Sequence, residues 1–265
     1  MNLWTQKSID LACQSNYLDQ LYRIYPMSVN LRRELSQQTQ DEIRTYLDNK
    51  DGKNLLNVLL KQEIFPIKDS YVAYLKRDKT AIERNPATVS RLAGMLIEMG
   101  FDEILDKTTT PKETNRQIGP MFKNWLANGA LGVPVTDIPN EFLTHQGNIV
   151  LNASDAAMAH FAQSNLGYQH HKGLDFIAKF NQTMIIGEAK FLSDFGGHQN
   201  AQFNDAIATL RAPLLPTQHK VKTIAILDGV LYIKSNNKMF NEISGFADDE
   251  VVVSAVLLRD YLFSV

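Results

Sequence analysis

Apolar positions recur at helical spacing through the first hundred residues. Leu11, Leu18 and Leu21 are three or seven positions apart, which places them on one face of a helix. The same spacing returns in later stretches, the last of which ends at Gly100, a residue typical of helix ends. The pattern therefore predicts a helical N-terminal region, which we place at residues 1–110.

Short apolar runs replace this pattern in the second half. Ser154 predicts the start of a helix, Asp228-Gly229 predicts a tight hairpin turn, and the segment DIPNEFLTH predicts a loop with a half-turn. Strands are predicted for LDFIAKF, MIIGEAKF, KTIAILDG, VLYIKS and VVVSAVLL. Helices and strands in this order predict an α/β fold with a mixed sheet and helical cover over residues 111–265.

The first two predicted strands carry two acids and a lysine among apolar residues. A two-residue turn at Asn181-Gln182 places Asp175 opposite Glu188, with Lys190 two positions on and on the same face. Carboxylates that face each other repel, so stability alone does not explain them. A divalent cation such as Mg²⁺, which prefers carboxylate oxygens, would offset this repulsion.

A structural explanation of the same three residues stays open. Lys190 could be an ion-pair partner of Glu188 without any catalytic role. A register slip of one residue would also move the two acids to different faces of the sheet.

Asp175, Glu188 and Lys190 resemble the Asp, Glu and Lys of the PD-(D/E)xK nuclease superfamily, with Leu174 in place of the proline. The stretches NRQIGPMFKNWL and EAKFLSDFGGHQNAQFNDA are similar to segments of type II restriction endonucleases. The resemblance covers about residues 111–235. It implies a restriction-endonuclease-like core, a mixed central sheet flanked by helices, within residues 111–265, with the N-terminal helices serving dimerisation or DNA clamping.

The resemblance also implies a mechanism. Asp175 and Glu188 would bind Mg²⁺ with the backbone carbonyl of Ala189, and Lys190 would orient or help deprotonate a water. The implied activity is Mg²⁺-dependent hydrolysis of double-stranded DNA at a short specific sequence. A homodimer would act in a system with a cognate DNA methyltransferase.

A further acid sometimes completes such a site. Glu113 is a candidate, although Thr110-Pro111-Lys112-Glu113 also has the pattern of a helix capping box. Glu141 and Asp155 are further candidates, and we favour structural roles for all three.

Several polar side chains are candidate DNA contacts, because cations bind phosphates and amides can pair with adenine. Amides near a helix start also satisfy free backbone groups, so both roles stay open. The candidates are Arg116, Lys123, His198, Gln199, Asn200 and Gln202.

Composition excludes some classes of protein. The single Cys13 excludes an intramolecular disulfide and suits a reducing cytoplasm, and no apolar run is long enough to span a membrane. A net charge of -2 argues against non-specific coating of DNA but allows a basic cleft. A repair or recombination nuclease, or a non-catalytic DNA- or protein-binding module, remains as a rival hypothesis.

Overall fold

The structure, a computed structural model, describes residues 1–26, 32, 34–110, 115–235 and 237–265, and only the backbone at 115 and 116. Its helices are α1 Leu3–Ala12, α2 Tyr17–Tyr22, α3 Gln37–Asp48, α4 Gly52–Leu60, α5 Ser70–Arg77, α6 Ala81–Arg84, α7 Pro86–Thr108, α8 Asn115–Ala127, α9 Pro139–Thr144, α10 Asp155–Asn165, α11 Gly197–Leu210, α12 Lys238–Ser244 and α13 Leu258–Ser264. Its strands are β1 Val135–Thr136, β2 Ile149–Leu151, β3 Phe176–Phe180, β4 Thr183–Leu192, β5 Lys220–Gly229 and β6 Val251–Val253.

The chain divides into two compact units. One unit is Met1–Met27 with Glu113–Val265, and the other is Ser28–Lys112. The first two helices therefore belong with the sheet, whereas the sequence predicted one helical region over residues 1–110. Hydrogen bonds explain this difference, because the α1 hydroxyls of Thr5 and Ser8 accept from the backbone N–H groups of Val252 and Ser254 at 3.2 and 2.9 Å.

In the described part of the chain, six strands form one mixed sheet in the order β1 to β6. The pairs β1–β2, β4–β5 and β5–β6 are parallel, and the pairs β2–β3 and β3–β4 are antiparallel. Because helices cover this sheet, the predicted α/β class with a restriction-endonuclease-like core is confirmed.

The hairpin of β3 and β4 has the predicted register. Phe180 pairs with Thr183 and Phe176 with Gly187, around a two-residue turn. Asn181 and Gln182 have φ values of 47° and 64°, which are the left-handed conformations of a type I′ turn. The turn therefore fixes the register that brings the acids opposite each other.

The two faces of this hairpin enter different parts of the core. Ile177 and Ile186 pack in a cluster with Met158 of α10. On the other face, the ring of Phe176 contacts that of Phe122 in α8, with centroids 6.5 Å apart. Burial on both faces explains why a one-residue slip is disfavoured.

Other local predictions were wrong. Asp228-Gly229 does not turn into a hairpin, because β5 runs through both residues and a 3-10 turn, Val230–Tyr232, follows. The side chain of Asp228 is fully buried and accepts hydrogen bonds from the hydroxyls of Tyr17 and Tyr25. It therefore belongs to the core and does not form a surface turn. The last predicted strand is only Val251–Val253. The half-turn predicted in DIPNEFLTH is longer than expected, because it forms the six-residue helix α9.

The helical unit contains α3 to α7. Gly100 interrupts α7 with a φ of 73°, at the predicted helix end. Ser36 caps α3, accepting from the N–H of Thr39 at 3.2 Å. Within the described ranges, none of the helices is long and apolar enough to cross a membrane.

Candidate active site

Asp175, Glu188 and Lys190 meet where β3 begins and β4 nears its end. The Lys190 Nζ lies 2.8 Å from Asp175 Oδ2 and 2.6 Å from Glu188 Oε1. Glu188 and Lys190 are two positions apart in β4, so their side chains share one face of the sheet. The structure thus brings together the three residues that the sequence singled out.

The backbone of β4 orients Asp175. The N–H of Ala189 donates to Asp175 Oδ2 at 3.1 Å. In a strand, the N–H and C=O of one residue point to the same edge, so the Ala189 carbonyl also faces the side where Asp175 lies.

Glu188 is the most buried member of the group. Its side chain is 2% exposed, and among the described residues its Oε2 has no hydrogen-bond partner. Burial and the nearby charge of Asp175 raise the pKa of Glu188, against the lowering effect of Lys190 and Lys172. An unsatisfied buried oxygen is costly, so Glu188 is better suited to binding a ligand than to stabilising the fold.

For Lys190, burial affects the pKa less than the neighbouring charges do together. Burial alone lowers the pKa of Lys190, but the charges of Asp175 and Glu188 outweigh burial and raise it above its ordinary value. In this arrangement the lysine is a protonated donor between two acids.

Sequence reasoning missed Lys172 and Asp205. The Lys172 Nζ lies 2.8 Å from Glu188 Oε1 and 3.0 Å from Asp205 Oδ2. Lys172 is in the segment before β3, and Asp205 is in α11. These segments are distant in sequence and meet only in the folded chain. The one sequence feature that could have suggested Asp205 is that its helix, α11, directly follows β4.

The donor atoms fit a hard divalent cation. Asp175 and Glu188 supply carboxylate oxygens, Ala189 can add a carbonyl, and the free Oε2 of Glu188 is a ready acceptor. In the described ranges no group of three or more His, Cys, Asp or Glu side chains forms a metal cluster. The fit therefore depends on two acids and the backbone.

The candidate additional acids lie elsewhere or have other partners. Glu113 is outside the described residues. Glu141 accepts a hydrogen bond from the Thr136 hydroxyl at 2.6 Å. Asp155 is in the first turn of α10, where an acid is favoured, and it pairs with Lys123.

The candidate DNA contacts fall into distinct environments. Lys123 is already engaged, because it also donates to the Ala153 carbonyl at 3.0 Å. The side chain of Arg116 is outside the described part of the structure.

The polar residues at the start of α11 differ in exposure. Gln199 is buried, and its amide makes hydrogen bonds of 3.3 and 3.2 Å with the backbone N–H and hydroxyl of Ser193. Asn200 donates to the carbonyl of Phe195 at 2.8 Å. The side chains of His198 and Gln202 lie 3.2 Å apart at the exposed surface.

A helix-flanked mixed sheet in which one hairpin presents an Asp and a Glu-x-Lys is the architecture of restriction-endonuclease-like nucleases. The model of the Tsp45I type II restriction enzyme family matches residues 2–265. The chain belongs to this family, and membership supports site-specific DNA cleavage as its general activity. No curated protein and no solved structure matches the chain.

Proposed function

We propose that this chain is a Mg²⁺-dependent endonuclease that hydrolyses double-stranded DNA at a short specific sequence. The observation that carries the proposal is the unsatisfied, buried Oε2 of Glu188, beside Asp175 and Lys190. The contacts of Lys190 and Lys172 go to Oε1, so Oε2 stays buried without a hydrogen bond, which costs stability unless a ligand binds it. Membership of the restriction enzyme family supports DNA as the substrate.

Asp175, Glu188 and the Ala189 carbonyl are the residues we assign to the metal ion. When bound, Mg²⁺ would supply Lewis-acid polarisation of the scissile phosphate and acidify a water. The chain contributes the orientation of these oxygens. The Ala189 N–H holds one Asp175 oxygen, and Lys190 holds one oxygen of each acid.

Lys190 is assigned to the water and to the phosphate. Its ammonium, held between the two acids, would orient the attacking water and stabilise negative charge growing on the phosphate oxygens.

Sequence recognition and assembly form the second part of the proposal. We assign DNA contact to the exposed His198 and the half-buried Gln202, which lie 3.2 Å apart near the start of α11. We assign the residues 28–112 unit to dimerisation or DNA clamping. A homodimer would cut one strand with each chain and match a symmetric site. A cognate methyltransferase would protect the host DNA in the cytoplasm, where both enzymes meet it.

Digestion of unmethylated plasmid DNA tests the activity. With Mg²⁺ the purified protein should produce discrete fragments whose ends share one sequence, and with EDTA it should leave the DNA intact. Cleavage confined to ends, flaps or junctions would instead support a repair nuclease. Intact plasmid in both reactions, with folded protein, would contradict the proposal.

A further inference from the structure

Lys172 is the second lysine at the candidate site. Its ammonium contacts Glu188 Oε1, which also receives Lys190, and Asp205 Oδ2 on α11. Because Lys190 already satisfies Glu188 Oε1, Lys172 is not needed to satisfy it. The role of Lys172 therefore extends beyond pairing with this buried acid.

Exposure increases along the chain of contacts from Glu188 to Asp205. The side chains of Glu188, Lys172 and Asp205 are 2%, 30% and 55% exposed. Lys172 thus lies between the buried acid and solvent. A lysine ammonium has three hydrogens, and within the described residues only two of them have acceptors.

The segment that carries Lys172 has a defined conformation. Its backbone N–H donates to His170 Nδ1 at 3.2 Å, and Gln163 of α10 donates to the His170 carbonyl at 2.8 Å. Leu174 donates its N–H to the Asp155 carbonyl at 3.2 Å. Because both sides of Lys172 are fixed to α10, little ordering of the backbone is needed when a ligand binds.

The charges at the site also favour an anionic ligand at Lys172. Asp175, Glu188 and Asp205 bring three negative charges, and Lys190 and Lys172 bring two positive charges. A divalent cation and one phosphodiester group would then make the site neutral. Without Lys172 the site would carry one positive charge fewer, with or without the cation, which weakens its attraction for a phosphate.

We infer that Lys172 is a substrate-binding residue that contacts a DNA phosphate, and that Asp205 holds its ammonium in place before DNA binds. This inference rests on the proposed function, since it assumes that DNA enters the site. Binding gives the third ammonium hydrogen of Lys172 a phosphate oxygen as its acceptor.

The salt dependence of DNA binding tests this contact without cleavage. In EDTA, binding of the full-length protein to a plasmid-derived duplex is measured between about 50 and 200 mM salt. Each phosphate contact adds about 0.9 to the slope of log affinity against log salt. Lys172→Met should lower the magnitude of the slope by about 0.9, and Lys172→Arg, which keeps the charge, should restore it.

Lys220→Met is the matched control. Lys220 is exposed at the start of β5, five positions before Ala225, which pairs with Glu188. This is roughly 17 Å along the strand from the site. The slope of this variant should equal that of the wild type.

The outcomes separate the two proposals. If wild type binds and cleaves DNA while Lys172→Met keeps the full slope, the inference is overturned and the proposed function stands. If the wild type neither binds nor cleaves DNA, the proposed function fails.

Protection from acetylation needs no variant and applies even if Lys172→Met does not fold. DNA should protect Lys172, but not Lys220, from acetic anhydride in wild-type protein. Equal labelling of Lys172 with and without duplex would contradict the phosphate contact.

Discussion

The N–H of Ala189 donates to Asp175 at 3.1 Å, so the backbone of β4 fixes an acid from the start of the neighbouring strand. This contact places Asp175 beside Glu188 without using either side chain of the Glu-x-Lys pair. The two acids are therefore held together by the hairpin itself, and the resulting repulsion is a cost of the site.

Glu188→Gln should leave the fold of the metal-free protein as stable as the wild type, or more stable. Burial and Asp175 raise the pKa of Glu188, which shows that its charge is unfavourable in the fold. Lys190 and Lys172 would each keep another acid as partner. Thermal unfolding in EDTA measures this, and a large drop in the melting temperature would show that Glu188 is a structural residue.

Lys190→Met should separate metal binding from catalysis. The substitution removes a positive charge between two acids, so Mg²⁺ should stabilise the variant at least as strongly as it stabilises wild type. Cleavage should fall by about 100-fold or more, because charge on the phosphate loses its donor.

Asp175→Asn is the matched control for Lys190→Met, since it should lose both the Mg²⁺-dependent rise in melting temperature and cleavage. Normal cleavage by Lys190→Met would contradict the role given to this lysine.

Asp228 should make stability depend on pH. Burial raises its pKa to about 7, although Ser254, Ala255, Tyr25 and Tyr17 donate hydrogen bonds that lower it. The folded pKa lies above that of the unfolded chain, about 3.9. The stability it contributes is therefore complete at low pH and is lost as pH rises through the folded pKa.

The size of this loss is about 1.4 kcal/mol per pH unit between the two pKa values. Chemical denaturation at several pH values measures it, with Asp228→Asn as the comparison that lacks the titrating group. A wild-type stability that rises over this interval relative to the variant would show that Asp228 is ionised in the fold.

Gln199 and Gln202 should respond differently to alanine. Gln199→Ala removes a buried amide bonded to Ser193 and should destabilise the fold by about 1 kcal/mol. Gln202→Ala should leave stability within about 0.5 kcal/mol and weaken DNA binding. Denaturation and duplex binding measure the two effects, and unaltered DNA binding by Gln202→Ala would remove it from the interface.

Gln182→Gly should stabilise the hairpin. Gln182 has a φ of 64°, a conformation that costs a non-glycine residue about 1 kcal/mol. A gain of roughly 0.5–1 kcal/mol in the free energy of unfolding is expected, with cleavage unchanged. Asn181, the other turn residue, is left unchanged because asparagine tolerates a positive φ. A less stable variant would contradict the turn assignment.

The hairpin was predictable because its determinants are local. Alternation of apolar residues and a two-residue turn are enough to place Asp175 opposite Glu188. Lys172 and Asp205 were not predictable in the same way. Their contact joins a segment before β3 to helix α11, and a charged residue in either segment has no distinguishing pattern in one sequence.

The long-range contacts of the N-terminal helices were also not predictable from the sequence. Their amphipathic spacing predicts helices, but not that Thr5 and Ser8 satisfy the backbone at β6. Asp228 misled the prediction because Asp-Gly is a turn signal, whereas here a buried hydrogen-bond network determines its position.

The central claim is that Glu188 binds the metal ion of a DNA-cleaving site. The most direct test compares wild type and Glu188→Gln in a plasmid digest with excess Mg²⁺, after both are shown to be folded. The account predicts discrete fragments from wild type and a rate at least about 1000-fold lower for the variant. Equal cleavage by both proteins would contradict the assignment of this site.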